Sequence, residues 1–202
     1  MSGGPALLIA TTNPGKLTEI SGILEGVPVR LLTLNDRDPI AEPDETGATF
    51  ADNARLKAHY YSEATGLASV ADDSGLEIAA LDGAPGVHSA RWHGFDYPTK
   101  FQKIQELFRD RGVAGSAARF VCYIAVARGN RIVFEAEGTI EGEIVAQPRG
   151  TNGFGYDPIF FYPPLGRTLA ELGRSEKSTV SHRGKAFAAL RAHLLAHADQ
   201  FE

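Results

Sequence analysis

The sequence predicts an α/β fold whose central sheet is part parallel and part antiparallel. Three observations predict it. Short apolar runs alternate with helical periodicities in the first third of the chain, the β-α-β pattern of parallel pairing. Two strand-rich runs in the second half meet at a Gly-Asn dipeptide, a hairpin signal. The 202 residues are 43% hydrophobic and 22% charged, the balance of a folded protein. At this length a single domain over residues 1–202 is expected.

Residues 6–11, ALLIAT, form a continuous apolar run that suits a strand buried on both faces, and the turn-forming TNPG follows. From Lys16 the pattern turns helical, with Leu17, Ile20 and Leu24 at three- and four-residue spacing and Gly26 as the stop. VPVRLLTL is a second strand, and residues 33–48 are polar and acidic enough for an exposed loop. Thr49 with Asp52 three residues on caps a helix over 50–65, where Asn53 and Lys57, four apart, share a face. LASVAD and LEIAAL flank Asp72 and Asp73 as two strands, the first ending at the acidic pair because Gly75 follows. PTKFQKIQELFRDRG is amphipathic, with Phe101, Ile104, Leu107 and Phe108 on one side. Residues 118–128 and 131–145 are the hairpin strands, the second bent or bulged at Gly138 and Gly142. A last helix follows Ser181, its expected N-cap, and buries Phe187, Leu190, Leu194 and Leu195.

A net charge of −5 gives no broad basic field for nucleic acid or an anionic membrane, so a phosphate-bearing ligand must be held by locally clustered Lys and Arg. The apolar stretch near the N-terminus is too short for a signal peptide or a membrane span, which makes the cytoplasm the expected location. Cys122, inside an apolar run, reads as a small buried hydrophobe.

Four stretches carry chemistry. TTNPGK (Thr11, Thr12, Asn13, Pro14, Gly15, Lys16) lies where a strand passes into a helix, where backbone N–H groups attract phosphate; it has neither the Walker nor the dinucleotide-binding spacing, and an ordinary capped turn is the alternative. Asp72 and Asp73, with Glu45 upstream as a possible third carboxylate, are hard oxygen ligands suited to Mg²⁺, and a carboxylate there can orient an attacking water; a polar turn capped by its own Asp side chains is the alternative. GTNGFGYDPIFF presents Phe154 and Tyr156 as flat faces for a base, with a hairpin corner as the structural alternative. SEKSTVSHRGKA gathers Lys177, His182, Arg183 and Lys185 near a helix start, where a solvated basic turn is the competing reading. Phosphate donors, metal carboxylates, an aromatic platform and cationic donors together describe a nucleoside triphosphate site.

These segments, in this order and over nearly the whole chain, also resemble the inosine triphosphate pyrophosphatase-like family. The matching motifs are LLIATTNPGKLTEI, DETGATFADNARLKA, VADDSGLEI, GAPGVHSAR, GTNGFGYDPIFF and EKSTVSHRGKA. The resemblance implies an elongated mixed sheet flanked by helices, with two lobes around an active-site cleft. It implies hydrolysis of ITP, dITP and XTP to monophosphate and pyrophosphate, with Mg²⁺ as cofactor and a homodimer as the assembly. By the same resemblance Thr11 to Lys16 hold the triphosphate, Glu45 and Asp73 serve the metal, and Asp73 accepts the proton. Ser74, Phe154, Gly155, Tyr156, Asp157, Lys177, His182 and Arg183 match substrate positions, while Asn53 and Lys57 match polar positions toward the phosphates.

On these residues the expected chemistry is water attack at the α-phosphorus, aligned by Asp73 with Asp72 close by, the leaving charge being met by Lys16, Lys57 and the metal. Donors from His182 and Arg183 would suit a 6-oxo purine and mismatch the amino group of adenine. Two other classes stay open. DSG at 73–75 matches one half of an aspartic protease signature, which needs two facing loops. A nucleotide sensor without turnover would share the binding residues but leaves the carboxylates unexplained.

Overall fold

The structure is a computed structural model and describes residues 5–94 and 96–201. Along the chain run β1 (Ala6–Ile9), α1 (Pro14–Ile23), β2 (Arg30–Thr33), α2 (Phe50–Thr65), β3 (Ala68–Ile78) and α3 (Tyr97–Asp110). There follow β4 (Ser116–Arg128), β5 (Arg131–Ile144), β6 (Phe160–Tyr162), β7 (Arg167–Thr168), α4 (Arg174–Val180) and α5 (His182–Ala196). The strands form one open sheet in the order β2-β1-β3-β4-β5-β6-β7. β1 is parallel to both β2 and β3, whereas β6 is antiparallel to β5 and β7, so the sheet is mixed as the sequence predicts.

Local chemistry sets most boundaries. α1 starts two residues before the predicted Lys16, because Pro14 has the right φ for a first helical position and Asn13 Oδ1 accepts from the N–H groups of Gly15 and Lys16 at 2.9 and 3.1 Å. α2 covers the predicted residues: Thr49 Oγ1 accepts from the Asp52 N–H at 3.1 Å, and Gly66 at φ 70° ends it. Ser181 stands extended between α5 and the short α4, a helix the sequence reading does not contain.

Two departures have physical causes. The sequence predicts two strands parted at Asp72–Asp73, but one strand runs from Ala68 through Asp73, Ser74 and Gly75 to Ile78. It continues because each carboxylate meets cations or amides on its own face, so neither must turn out to water. β5 likewise runs through Gly138 and Gly142. At Gly142 a Cβ would collide with the Phe161 carbonyl and the Phe160 ring, so the glycine admits a close neighbouring backbone. In α5, Phe187, Leu190 and Leu194 are buried, but Leu195, one residue round the last turn, is 51% exposed.

The chain packs as two compact units, the first from residues up to Asp73, Cys122–Gly138 and Arg183 onward, the second from Ser74–Val121 and Thr139–His182. In the first, side chains alternate between the two faces of the sheet. Leu7, Ile9, Val70, Ile124 and Val126 pack with Ile20 and Leu24 of α1 and Phe187, Leu190 and Leu194 of α5. Leu8, Ala71, Ala125 and Ala127 pack instead with Ala54, Ala58 and Tyr61 of α2. In the second unit Leu76, Ile78, Phe120, Ile140 and Ile144 pack with Ile104 and Phe108 of α3 and with Ile159, Phe160, Leu169 and Leu172.

Candidate active site

The two-residue period of β3 decides which partners the carboxylates meet. Asp73, in step with Ala71, lies on the α2 side; Asp72, in step with Val70, lies on the side of α1 and α5. Asn53 Nδ2 donates to Asp73 Oδ2 at 2.9 Å, and Lys57 Nζ is 3.8 Å from Asp73 Oδ1. The same Lys57 ammonium is 2.6 Å from Glu45 Oε1, so two carboxylates share one lysine. The one-turn spacing of Asn53 and Lys57 on α2 makes this possible. Asn53 also ties down the acidic loop, since its Oδ1 accepts from the Gly47 N–H at 2.8 Å. At Gly47 a Cβ would lie 2.7 Å from that oxygen.

Burial pushes Asp73 above the ordinary carboxylate range, and Glu45 adds to the rise against the pull of Lys57 and Asn53. Burial alone would lower Lys57, but Asp73, Asp72 and Glu45 outweigh it and hold the ammonium charged above its usual range.

On the other face Lys16 Nζ lies 2.8 Å from Asp72 Oδ2, and Arg183 Nη2 lies 3.4 Å from the same oxygen. Arg183 Nη1 donates to Glu19 Oε2 at 2.8 Å, and Cys122 Sγ is 3.9 Å from Asp72. Burial would raise Asp72, yet Lys16 and Arg183 hold it well below the usual range; Arg183, despite its own burial, is raised by Asp72, Cys122 and Glu19. The adjacent aspartates therefore differ: Asp72 is locked as an anion inside an ion-pair network, and Asp73 is the more easily protonated. Burial first, then Asp72, pushes the Cys122 thiol up, as suits a packing residue.

The loop before α1 is organised by its own side chains. The Asn13 N–H donates to Thr11 Oγ1 at 3.2 Å, Thr12 and Asn13 are exposed, and Pro14 and Gly15 open the helix that carries Lys16.

The second unit holds its own cluster. Lys177 Nζ donates to Asp157 Oδ2 at 2.5 Å and lies 5.0 Å from the centre of the Phe154 ring. Asp157 Oδ2 also accepts from the Phe154 N–H at 2.8 Å. Gly153, at φ 72°, passes so close that any Cβ would strike the Asp157 carboxylate. His182 stacks on Phe120, ring centres 4.6 Å apart and planes at 10°. Tyr156 is buried and its hydroxyl donates to the Ser89 carbonyl at 3.0 Å, while Gly155, at φ 68°, and the half-buried Ser74 complete the predicted set.

The structure thus brings Lys16, Asp72 and Arg183 into one network, Glu45, Asn53, Lys57 and Asp73 into another, and Phe154, Asp157 and Lys177 into a third. Sequence reasoning missed Glu19, although its three-residue offset from Lys16 on α1 signals a shared face, and Phe120, which only the tertiary fold pairs with His182. Among the described residues no group of three His, Cys, Asp or Glu side chains surrounds a cation position, and Glu45 and Asp73 both face the Lys57 ammonium.

Comparison with known proteins agrees with the motifs. A model of the Ham1 family matches residues 7–193. The chain is 48% identical to a dITP/XTP pyrophosphatase of Syntrophobacter fumaroxidans over 92% of this chain and 80% of that one. Its fold matches a solved HAM1 protein from Coxiella burnetii with a TM-score of 0.87 at 38% identity, covering 95% and 99% of the two chains. A nucleoside-triphosphatase, dITP/XTP pyrophosphatase, from Mycobacterium abscessus matches with a TM-score of 0.69 at 44% identity, over 92% and 98%.

Proposed function

Since this chain belongs to the Ham1 family, we infer that it is a hydrolase that converts non-standard purine nucleoside triphosphates of the ITP, dITP and XTP class to monophosphate and pyrophosphate. The observation that carries the mechanism is the setting of Asp73: buried, its carboxyl raised above the ordinary range by that burial, with its two oxygens addressed by different side chains of α2.

Asp73 is the proposed proton acceptor. The Asn53 amide fixes the carboxylate's orientation, so a water beside it is aimed rather than merely near. The water oxygen bonds to the α-phosphorus as the α–β bridging bond breaks, its proton passes to Asp73, and pyrophosphate departs. Lys57 and Lys16 are the cations proposed to meet the charge that builds on the leaving group. Asp72, clasped between Lys16 and Arg183, does not take the proton; it fixes where the Lys16 ammonium sits.

The donor set suits Mg²⁺, which one or two carboxylates commonly hold while water and substrate phosphates complete its shell. We propose that Glu45 and Asp73 hold it. When bound, it supplies neutralisation of phosphate charge.

For the base, the proposed readers in the second unit are Phe154 as a stacking face and Lys177 and His182 as donors to a 6-oxo group, which adenine lacks. Arg183, whose Nη1 and Nη2 face Glu19 and Asp72, is proposed as a further donor to the 6-oxo group. A homodimer and a cytoplasmic location are further proposals. The first rests on the family resemblance; the second is compatible with the absence, among the described residues, of any helix long and apolar enough to cross a membrane.

A panel of ITP, dITP, XTP, GTP and ATP with Mg²⁺, scoring pyrophosphate separately from orthophosphate, tests the function. Pyrophosphate from the first three, at rates at least about tenfold above ATP, is expected. Binding without turnover, or orthophosphate as the first product, would overturn the assignment.

A further inference from the structure

Lys100 is fully buried on the inward face of α3, between the packing residues of the second unit. Among the described residues it has no carboxylate partner. Its ammonium donates to the backbone carbonyls of Ser89, at 3.1 Å, and Ala90, at 2.6 Å. The remaining charge faces two rings, Tyr97 at 4.4 Å and Tyr156 at 5.7 Å from their centres. Burial lowers its pKa below that of an ordinary lysine. A buried ammonium without a counter-charge is costly, and a methionine or leucine would fill the space without that cost, so packing alone does not account for a lysine here.

The contacts show what it holds. Its two acceptors follow the short turn Gly86–His88, whose own end is fixed by Ser89 Oγ donating to the Gly86 carbonyl at 2.6 Å and accepting from the Leu76 N–H at 2.9 Å. The Ser89 carbonyl takes a second donor, the hydroxyl of Tyr156, at 3.0 Å. Tyr97 stands edge-on to Tyr156, ring centres 5.2 Å apart, and a Cβ on Gly155 would lie 3.5 Å from its hydroxyl, so it also backs the preceding residue. Lys100 is thus the tie that fastens α3 and the turn to Tyr156, and Tyr156 belongs to the segment that carries Phe154 and Asp157.

We propose that Lys100 is a positioning residue for nucleotide recognition, holding residues 153–157 through Tyr156 and the Ser89 carbonyl in the conformation that receives the nucleoside part of the substrate. It rests on the assignment of that segment to the nucleoside. Lys100 belongs to the same unit as residues 153–157, whereas Asp73 and the lysines assigned to the phosphates belong to the other, so its loss weakens nucleoside binding and leaves the chemical step alone.

The test is Lys100→Met, which keeps length and removes donor and charge, with dITP as substrate and IMP and inorganic pyrophosphate as product inhibitors. The KM for dITP and the inhibition constant of IMP rise together by about tenfold, while kcat and the inhibition constant of pyrophosphate stay within about twofold. Should Lys100→Met fail to fold, Lys100→Gln, which retains an N–H donor, is read by the same ratio. Tyr156→Phe, which removes the other donor to Ser89, moves the same two constants in the same direction. Wild-type constants in the Lys100 variant, or a parallel loss in kcat and in pyrophosphate affinity, would overturn the role. Failure of the wild type to release pyrophosphate from dITP would instead overturn the function, and this role with it.

Discussion

Asp72 and Asp73 differ by one position and by everything that surrounds them. Asp73→Asn keeps the hydrogen-bonding shape but cannot accept a proton, so kcat falls by about 10²–10⁴ while nucleotide affinity changes by a few-fold; rapid-quench turnover and equilibrium titration separate the two. Turnover within tenfold of wild type would remove Asp73 from the role of base. Arg183→Ala withdraws one of the two cations clasping a buried carboxylate and strands Glu19 as well, so stability falls by about 3 kcal/mol in urea denaturation. A loss below about 1 kcal/mol would show that Asp72 finds compensation elsewhere. At this scale much was legible: a carboxylate pair in an apolar run and a lysine four residues from an asparagine both signal chemistry. The division of labour between the aspartates was not, because it depends on which helix covers which face. Lys100 was hidden for a related reason: a helical periodicity read from apolar residues passes over a lysine buried in the same stripe.

The elements explain why these side chains stay where they are. The boundaries of α2 were legible because Thr49 and Gly66 are local signals, whereas the continuity of β3 depended on partners distant in sequence and was not. Gly153 makes the point for loops. Gly153→Ala must hold φ 72° with a Cβ against the Asp157 carboxylate, so the Lys177–Asp157 pair opens; KM rises by at least about fivefold and stability drops by about 1–3 kcal/mol, measured by initial rates and urea denaturation. An unchanged KM would separate that pair from substrate binding. The end of α5 carries a pH dependence. His193 is pushed down from its ordinary 6.5 by burial, next to Phe134 and Phe201, and by the neighbouring His197, against a smaller upward pull from Gln200. A histidine lowered in the fold binds protons more readily when unfolded, so its contribution is whole above pH 6.5 and is lost as pH falls from there toward the folded value. His193→Phe therefore shows a shallower decline in melting temperature than wild type between pH 7.5 and about 5. Parallel curves would remove His193 as the cause.

For the whole molecule, a net charge of −5 and a polyanionic substrate are reconciled by concentrating cations: Lys16, Lys57 and Arg183 in one unit and Lys177 in the other all lie against carboxylates. The α/β class and mixed sheet were legible from the order of apolar runs and the Gly-Asn hairpin, because each is a local pattern repeated along the chain. Two lobes were expected from the family resemblance alone; where the chain divides was not legible, since β3, β4 and β5 each contribute residues to both units. The central claim is that water, aligned by Asp73, attacks the α-phosphorus. Hydrolysis of dITP in ¹⁸O-labelled water with Mg²⁺, followed by mass spectrometry of both products, tests it most directly. One labelled oxygen in the monophosphate and none in pyrophosphate is expected; label in the pyrophosphate would rule out attack at the α-phosphorus.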